Sequence, residues 1–169
     1  MAKVGIFYSF NSNKTKLVAD KIVAEFGEGN IDRVNAENLT EKEFLSYDYL
    51  IMGVPTWFDG ELPNYWDEFV PDLEGLDLKG KTFAIYGLGD QVGYPENFGD
   101  AIGIMAELIE SRGGTVIGST SMEGYKFESS KAIQDGKFIG LIIDQENQAR
   151  LTKKRIKDWA TDIQKVIKK

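Results

Sequence analysis

Seven consecutive residues, Ser9-Phe10-Asn11-Ser12-Asn13-Lys14-Thr15, gather hydroxyls, amides and a single cation into one short loop. The run before it, Lys3-Val4-Gly5-Ile6-Phe7-Tyr8, is apolar and β-rich, as a strand buried on both faces should be. After it, Val18, Ala19, Ile22, Val23 and Phe26 recur at helical spacing. A polar loop leading from a strand into a helix start presents hydroxyls and free backbone N–H groups, which suits a phosphate. One Lys and no Arg fit a phosphate held permanently better than a triphosphate to be cleaved.

Two more loops carry ligand-binding residue types. The first is Pro55-Thr56-Trp57-Phe58-Asp59-Gly60-Glu61-Leu62-Pro63; the second is Gly87-Leu88-Gly89-Asp90-Gln91-Val92-Gly93-Tyr94-Pro95-Glu96-Asn97-Phe98. Each offers an aromatic without an evident core role, Trp57 and Tyr94, and glycines that let backbone approach a flat ligand closely. Taken singly, these residues have plainer uses. Ser12 or Asn13 could cap a helix, Asp90 and Asn97 could serve turns, and both aromatics could be core or interface residues. Their joint placement after three strands favours a planar ring between Trp57 and Tyr94, with its phosphate at the helix start.

The elements that must position these loops alternate along the chain. Strands are expected near Ile31-Asp32-Arg33-Val34, over Tyr49-Leu50-Ile51-Met52-Gly53-Val54 and over Thr82-Phe83-Ala84-Ile85-Tyr86-Gly87-Leu88. A helix is expected around Tyr65 to Leu73. Phe98, Ile102, Met105 and Ile109 mark another, ended by Gly113-Gly114, and Ile156, Trp159, Ile163 and Ile167 mark the last. The fifth strand is expected in two pieces, Thr115-Val116-Ile117 and Phe138-Ile139-Gly140-Leu141-Ile142-Ile143. Between them lie 19 mostly polar residues, Ser119 to Lys137, either functional or packed as an added flap. Such alternation implies an α/β fold with a parallel sheet, helices on both faces and ligands beyond the carboxyl ends of the strands. With 169 residues and no linker or repeat, one domain over residues 1–169 is expected.

Composition removes whole classes of chemistry. The chain has no Cys and no His, which excludes disulfides, thiolate catalysis, iron–sulfur ligation, a Ser-His-Asp mechanism and His-ligated metals. No apolar run approaches the ~20 residues of a membrane span, and the immediate first strand leaves no room for a signal peptide, so the cytoplasm is the expected location. A net charge of −7 argues against nucleic acid and anionic membranes as partners. Between Trp57 and Asp100 lie ten acidic and two basic residues, whereas Arg150 to Lys169 holds eight basic and two acidic ones. The acidic segment is either a solubilising surface or a face that docks basic partners. A P-loop would require Gly at positions 8 and 13, occupied by Tyr8 and Asn13. No Gly-x-Gly-x-x-Gly follows the first strand, and Pro55-Thr56 stands where a phosphoacceptor domain would place an Asp.

The chain resembles long-chain flavodoxins over essentially its whole length. The matching stretches are Lys3 to Tyr8, Pro55-Thr56-Trp57, Gly60-Glu61-Leu62-Pro63, Gly87 to Asn97, Asp135-Gly136-Lys137-Phe138-Ile139-Gly140-Leu141 and Asp144-Gln145-Glu146-Asn147-Gln148. The resemblance implies a flavodoxin-like three-layer α/β/α sandwich, with a five-stranded parallel sheet of order 2-1-3-4-5. The interruption of the fifth strand is similar to the family's long-chain insertion. It further implies bound FMN and low-potential one-electron transfer by a monomer that replaces ferredoxin. Donors would be a photosynthetic reaction centre or another donor, and acceptors a ferredoxin-NADP-type reductase or another acceptor. The alternative on the same scaffold is an FMN-dependent quinone or nitro-compound reductase. By position, Ser9 to Thr15 would hold the phosphate, with Ser12 and Thr15 as hydroxyl donors. Trp57 and Tyr94 would cover the ring, and Asp90 and Asn97 would lie near its polar edge and ribityl chain. Pro55, Thr56, Phe58, Asp59, Gly60, Leu88, Gly89 and Phe98 would complete the contacts.

Three departures from the family pattern carry consequences. The phosphate loop is roughly Thr-x-Thr-Gly-x-Thr in the family, so Phe10 removes a hydroxyl donor and Asn13 replaces a Gly that Asn best mimics in a left-handed backbone. One lost hydrogen bond to a charged group, worth ~1.5–3 kcal/mol, should weaken FMN binding by roughly ten- to a hundredfold. An FMN titration of Phe10→Thr should show that affinity regained. Third, Phe58 stands where the family commonly places Gly or Asn before a peptide that flips on one-electron reduction, so a positive φ is expected to be harder here. The resemblance also gives the acidity a role: one charge at ~8 Å and an effective dielectric near ~40 contributes ~1 kcal/mol, or ~40 mV per electron. Asp59, Glu61, Asp67, Glu96, Asp100, Asp144 and Glu146 are the residues expected to lower the potential and steer basic faces of redox proteins.

Overall fold

The computed structural model describes residues 3–167, and a twisted parallel sheet organises them. Strands β1 (Val4–Tyr8), β2 (Asp32–Asn35), β3 (Tyr49–Gly53) and β4 (Thr82–Leu88) lie in the order β2-β1-β3-β4. The fifth position is shared. β5 (Thr115–Ile117) pairs with Thr82 to Ala84 of β4, and β8 (Leu141–Ile143) pairs with Tyr86 to Leu88, both parallel. The sheet order is therefore 2-1-3-4-5 with an interrupted last strand, as expected. Phe138 falls outside its second piece and belongs instead to a small hairpin, β6 (Ile133–Gln134) with β7 (Lys137–Phe138).

Period-2 alternation divides the sheet between two cores. Val4, Ile6 and Tyr8 of β1 join Ala84 and Tyr86 of β4 on the face covered by α1 (Lys14–Phe26) and α7 (Thr152–Ile167). Phe7, Leu50, Met52, Phe83 and Ile85 point the other way. There they meet α2 (Glu41–Leu45), α3 (Asn64–Asp67), α4 (Val70–Leu73) and α5 (Asp100–Ser111). The helix expected over Tyr65 to Leu73 is thus two short helices, the second carrying Pro71 in its first turn, where a missing N–H is tolerated. Sequence reading missed α2, although Thr40 and Glu43 announce it: the Thr40 hydroxyl accepts from the Glu43 amide at 3.2 Å.

The Ser119 to Lys137 insertion folds back as a packed flap. Phe127 stacks on Phe98 at 5.2 Å, Tyr125 meets Phe138 edge-on, and the Tyr125 hydroxyl donates to the Ile142 carbonyl at 2.7 Å. Its backbone groups find partners in β7, where Thr120 and Phe138 exchange amide bonds at 2.9 and 3.0 Å, and in the β4 loop, where Gln91 Oε1 accepts from the Lys126 amide at 2.7 Å.

Candidate functional site

Because β1 connects outward to β2 on one side while β3 lies on its other side, the sheet has its switch point between β1 and β3. A cleft of about 740 Å³ opens there, at the carboxyl ends of β1, β3, β4 and β8. That volume lies within the ~300–1,000 Å³ range of small-molecule sites.

One end of the cleft is built by the loop that enters α1. Asn13 precedes the helix without a side-chain cap, at φ −99° and ψ −65°. The left-handed conformation expected of Asn13 is therefore not used; the loop runs through ordinary right-handed backbone, which Asn enters without strain. Among the described residues, the amides of Asn13, Lys14, Thr15 and Lys16 have no hydrogen-bond acceptor, the first helical bond being Leu17 N–H to the Asn13 carbonyl at 3.0 Å. Uncapped amides at a helix start aim partial positive charge at one point. Thr15 and Ser12 line the same end, with the Ser12 hydroxyl currently donating to the Ser9 carbonyl at 2.6 Å.

The walls come from the loops after β3 and β4. Trp57 and Glu61 exchange backbone hydrogen bonds at 2.9 and 2.8 Å, closing a tight turn through Phe58, Asp59 and Gly60. Trp57 is half-buried, supported edge-on by Tyr65 at 5.9 Å and 84°. Asn97 Nδ2 donates to the Asp59 carbonyl at 3.1 Å and the Ala101 amide donates to Thr56 Oγ1 at 3.1 Å, so the two loops are fastened together. In the second loop, Asp90 Oδ1 accepts from the amides of Val92 and Gly93 and from Asn147 Nδ2 at 2.7–3.1 Å. Those donors, the Gly93 amide first, hold the Asp90 carboxyl below the usual carboxylate range. Below it, Asp144 anchors the loop as a wholly buried carboxylate, accepting from Gln91 and Asn147.

Most of the residues singled out in the sequence converge on this cleft: Ser9, Asn11, Ser12, Asn13, Lys14, Thr15, Pro55, Thr56, Trp57, Phe58, Leu88, Gly89, Asp90, Tyr94 and Asn97. Four do not. Phe10 turns outward and packs on Tyr8 at 5.0 Å. Asp59 and Gly60 form the far side of the turn, with Gly60 at φ 94° against Asn97 and Asp100. Phe98 is fully buried under the flap. Glu146, expected among the acids near the flavin, lines the cleft as well; Glu37, Tyr65, Ile143 and Gln145 line it too and were not among the expected contacts. Two of the acidic residues assigned to a docking face are also corrected. Asp100 and Asp144 are buried, one accepting from the Lys131 amide and the other anchoring the β4 loop, so neither faces a partner.

Phe58 reverses another expectation. It adopts a positive φ of 49° while its side chain is 74% exposed. The Trp57–Glu61 pairing forces the turn, and the non-Gly residue bears a strain of roughly 1–2 kcal/mol. Phe58→Gly relieves that strain but adds chain entropy of roughly 0.5–1 kcal/mol, so net stability should move by less than about 1 kcal/mol. The larger effect should appear in a reductive titration of the FMN-loaded protein, as a greater fraction held at the one-electron level. An unchanged fraction would remove Phe58 from redox control.

Sheet order, split edge strand and a switch-point cleft with an uncapped helix start define a doubly wound α/β protein of mononucleotide-site geometry. The flavodoxin family profile matches residues 6–159. A flavodoxin of Synechococcus elongatus is 44% identical over 164 residues, covering 96% of each chain, and one of Haemophilus influenzae is 41% identical, covering 96% of this chain and 94% of its own. Among solved structures, a Fusobacterium nucleatum flavodoxin bound to flavin mononucleotide superposes with a TM-score of 0.92 at 37% identity, covering 98% of both chains. The chain belongs to the flavodoxin family, whose members are electron-transfer proteins rather than enzymes.

Proposed function

We propose that the whole chain is a single FMN-binding unit that carries one electron at a time, at low potential, between redox proteins. The observation that carries this reading is one continuous cleft with uncapped amides at one end and Trp57 and Tyr94 along its walls. When bound, FMN supplies a ring that accepts and returns electrons singly. The residues do the rest. Free amides from Asn13 to Lys16, with Ser12 and Thr15, hold the phosphate, while Lys14 is offset by its ion pair with Glu146. Trp57 and Tyr94 exclude water from the ring faces. Asp90, kept ionised by its donors, disfavours added negative charge at the polar edge.

The exposed acids Asp59, Glu61, Asp67, Glu96 and Glu146 then give basic partner faces a salt-sensitive landing site around that edge. A ferredoxin-NADP-type reductase is the proposed acceptor and a photosynthetic or similar complex the donor. On this reading the protein substitutes for ferredoxin, as a monomer in the cytoplasm. None of the helices described is long and apolar enough to cross a membrane. A quinone or nitro-compound reductase needs an open ring face, which Trp57 and Tyr94 on two loops oppose. The test is direct. Purified protein should bind one FMN per chain, oxidise NADPH slowly alone, and do so fast when a reductase is added at low salt. Fast oxidation without a partner would favour the enzyme.

A further inference from the structure

Two polar groups on the cleft wall have no part in the account above: the Glu37 carboxylate and the hydroxyl of Tyr65, whose ring props Trp57. Glu37 sits in the short turn Ala36–Asn38 after β2, and its Oε2 accepts from Asn11 Nδ2 at 2.6 Å. Asn11 belongs to the loop of free amides, so Glu37 places a carboxylate at the anion end of the cleft. The charges around it do not offset this. Lys14 is paired with Glu146, Asp20 with Arg33, and Lys16 stands exposed on the outer side of the loop. The second side chain is Tyr65, in α3, which packs against the Glu37 turn. Tyr65 is 7% exposed, and its hydroxyl is the single buried side-chain polar atom without a hydrogen-bond partner among the described residues. Burial, and after it the negative charge of Glu37, push the Tyr65 hydroxyl well above its usual range, so it stays protonated and able to donate.

Resting on the FMN reading, we propose that Glu37 sets how strongly the site prefers a phosphorylated flavin over an unphosphorylated one, with the Tyr65 hydroxyl as its alternative partner. An incoming phosphate competes for the Asn11 amide and repels the carboxylate. Glu37 then turns to accept a hydrogen bond from Tyr65, which satisfies the orphaned hydroxyl. While Glu37 remains charged, part of the phosphate affinity is spent on displacing it.

The experiment is a fluorescence titration of FMN and of riboflavin against wild type, Glu37→Gln, Tyr65→Phe and the double variant, at low and high salt. Glu37→Gln should tighten FMN about five- to tenfold, the effect of one charge at ~8 Å, while riboflavin affinity stays within about twofold. The gain should shrink at high salt. Tyr65→Phe should weaken FMN about threefold alone and have no effect when combined with Glu37→Gln. Equal shifts for both flavins, or weaker FMN binding in Glu37→Gln, would overturn the proposal and make Glu37 a simple support for Asn11. Wild type that binds neither flavin would overturn the functional reading too, whereas wild type that binds FMN with an unmoved preference in the variants would overturn this proposal alone.

Discussion

Asp144→Ala should lower the unfolding free energy by roughly 3 kcal/mol and the melting temperature by about 6–12 °C. Asp144 follows β8 and is fully buried. Its carboxylate accepts from the Gln91 amide at 3.0 Å, from Gln91 Nε2 at 2.6 Å, from the Asn147 amide at 3.0 Å and from Asn147 Nδ2 at 3.0–3.1 Å. Alanine removes the acceptor and leaves the two Gln91 donors buried, each costing about 1–3 kcal/mol when unpaired, whereas the exposed Asn147 can turn to water. Local consequences follow from where the donors lie. Gln91 also binds the flap through Lys126, and Asn147 also holds Asp90, so one carboxylate joins the β4 loop, the α6 turn (Gln145–Gln148) and the insertion. FMN affinity should therefore fall with stability, because the loop that carries Asp90 and Tyr94 loses its anchor. Urea denaturation, in parallel with calorimetry, measures it; a loss below about 1 kcal/mol would mean that the network is dispensable.

Trp57→Leu should weaken FMN binding by roughly ten- to a hundredfold while leaving the fold intact. Stacking of a planar heterocycle on an aromatic side chain contributes ~1–3 kcal/mol, and leucine keeps apolar contact without the ring face. The indole is held edge-on by Tyr65 and by Phe58 at 6.3 Å, so the cleft receives a fixed surface. Main-chain bonds between Trp57 and Glu61 close the turn, and these survive the substitution. A fluorescence titration beside a urea melt separates the two effects. Affinity within threefold of wild type would show that Trp57 is a packing residue and that the ring lies elsewhere.

Much of the site was legible because its loops follow strands whose periodicity is strong. Ser12, Thr15, Trp57, Asp90 and Tyr94 reach one cleft from three separate stretches, as the strand order requires. Glu37 and Tyr65 were illegible, since neither lies in a loop with a recognisable pattern. Glu37 reaches the cleft because β2 lies beside β1, and Tyr65 because α3 packs under Trp57. Asp100 and Asp144 misled for a related reason. A carboxylate beside polar residues reads as surface charge, and its burial is made tolerable by donors the sequence does not single out: the distant Lys131 amide for Asp100, and the distant Gln91 with the neighbouring Asn147 for Asp144.

By itself the sequence determined the alternation of strands and helices, the interrupted fifth strand, the exclusion of Cys and His chemistry, and the three ligand-facing loops. Those features depend on residue types and on spacings of a few positions, which a chain carries locally. The tertiary structure decided the rest: the right-handed path at Asn13, the strained φ at Phe58, and which acids face water. Backbone angles in a closed turn and the burial of a charge are set by partners brought together across the sheet. The phosphate end of the cleft shows the division. Its free amides follow from a helix start written in consecutive residues, whereas the carboxylate opposing them arrives from the turn after a neighbouring strand.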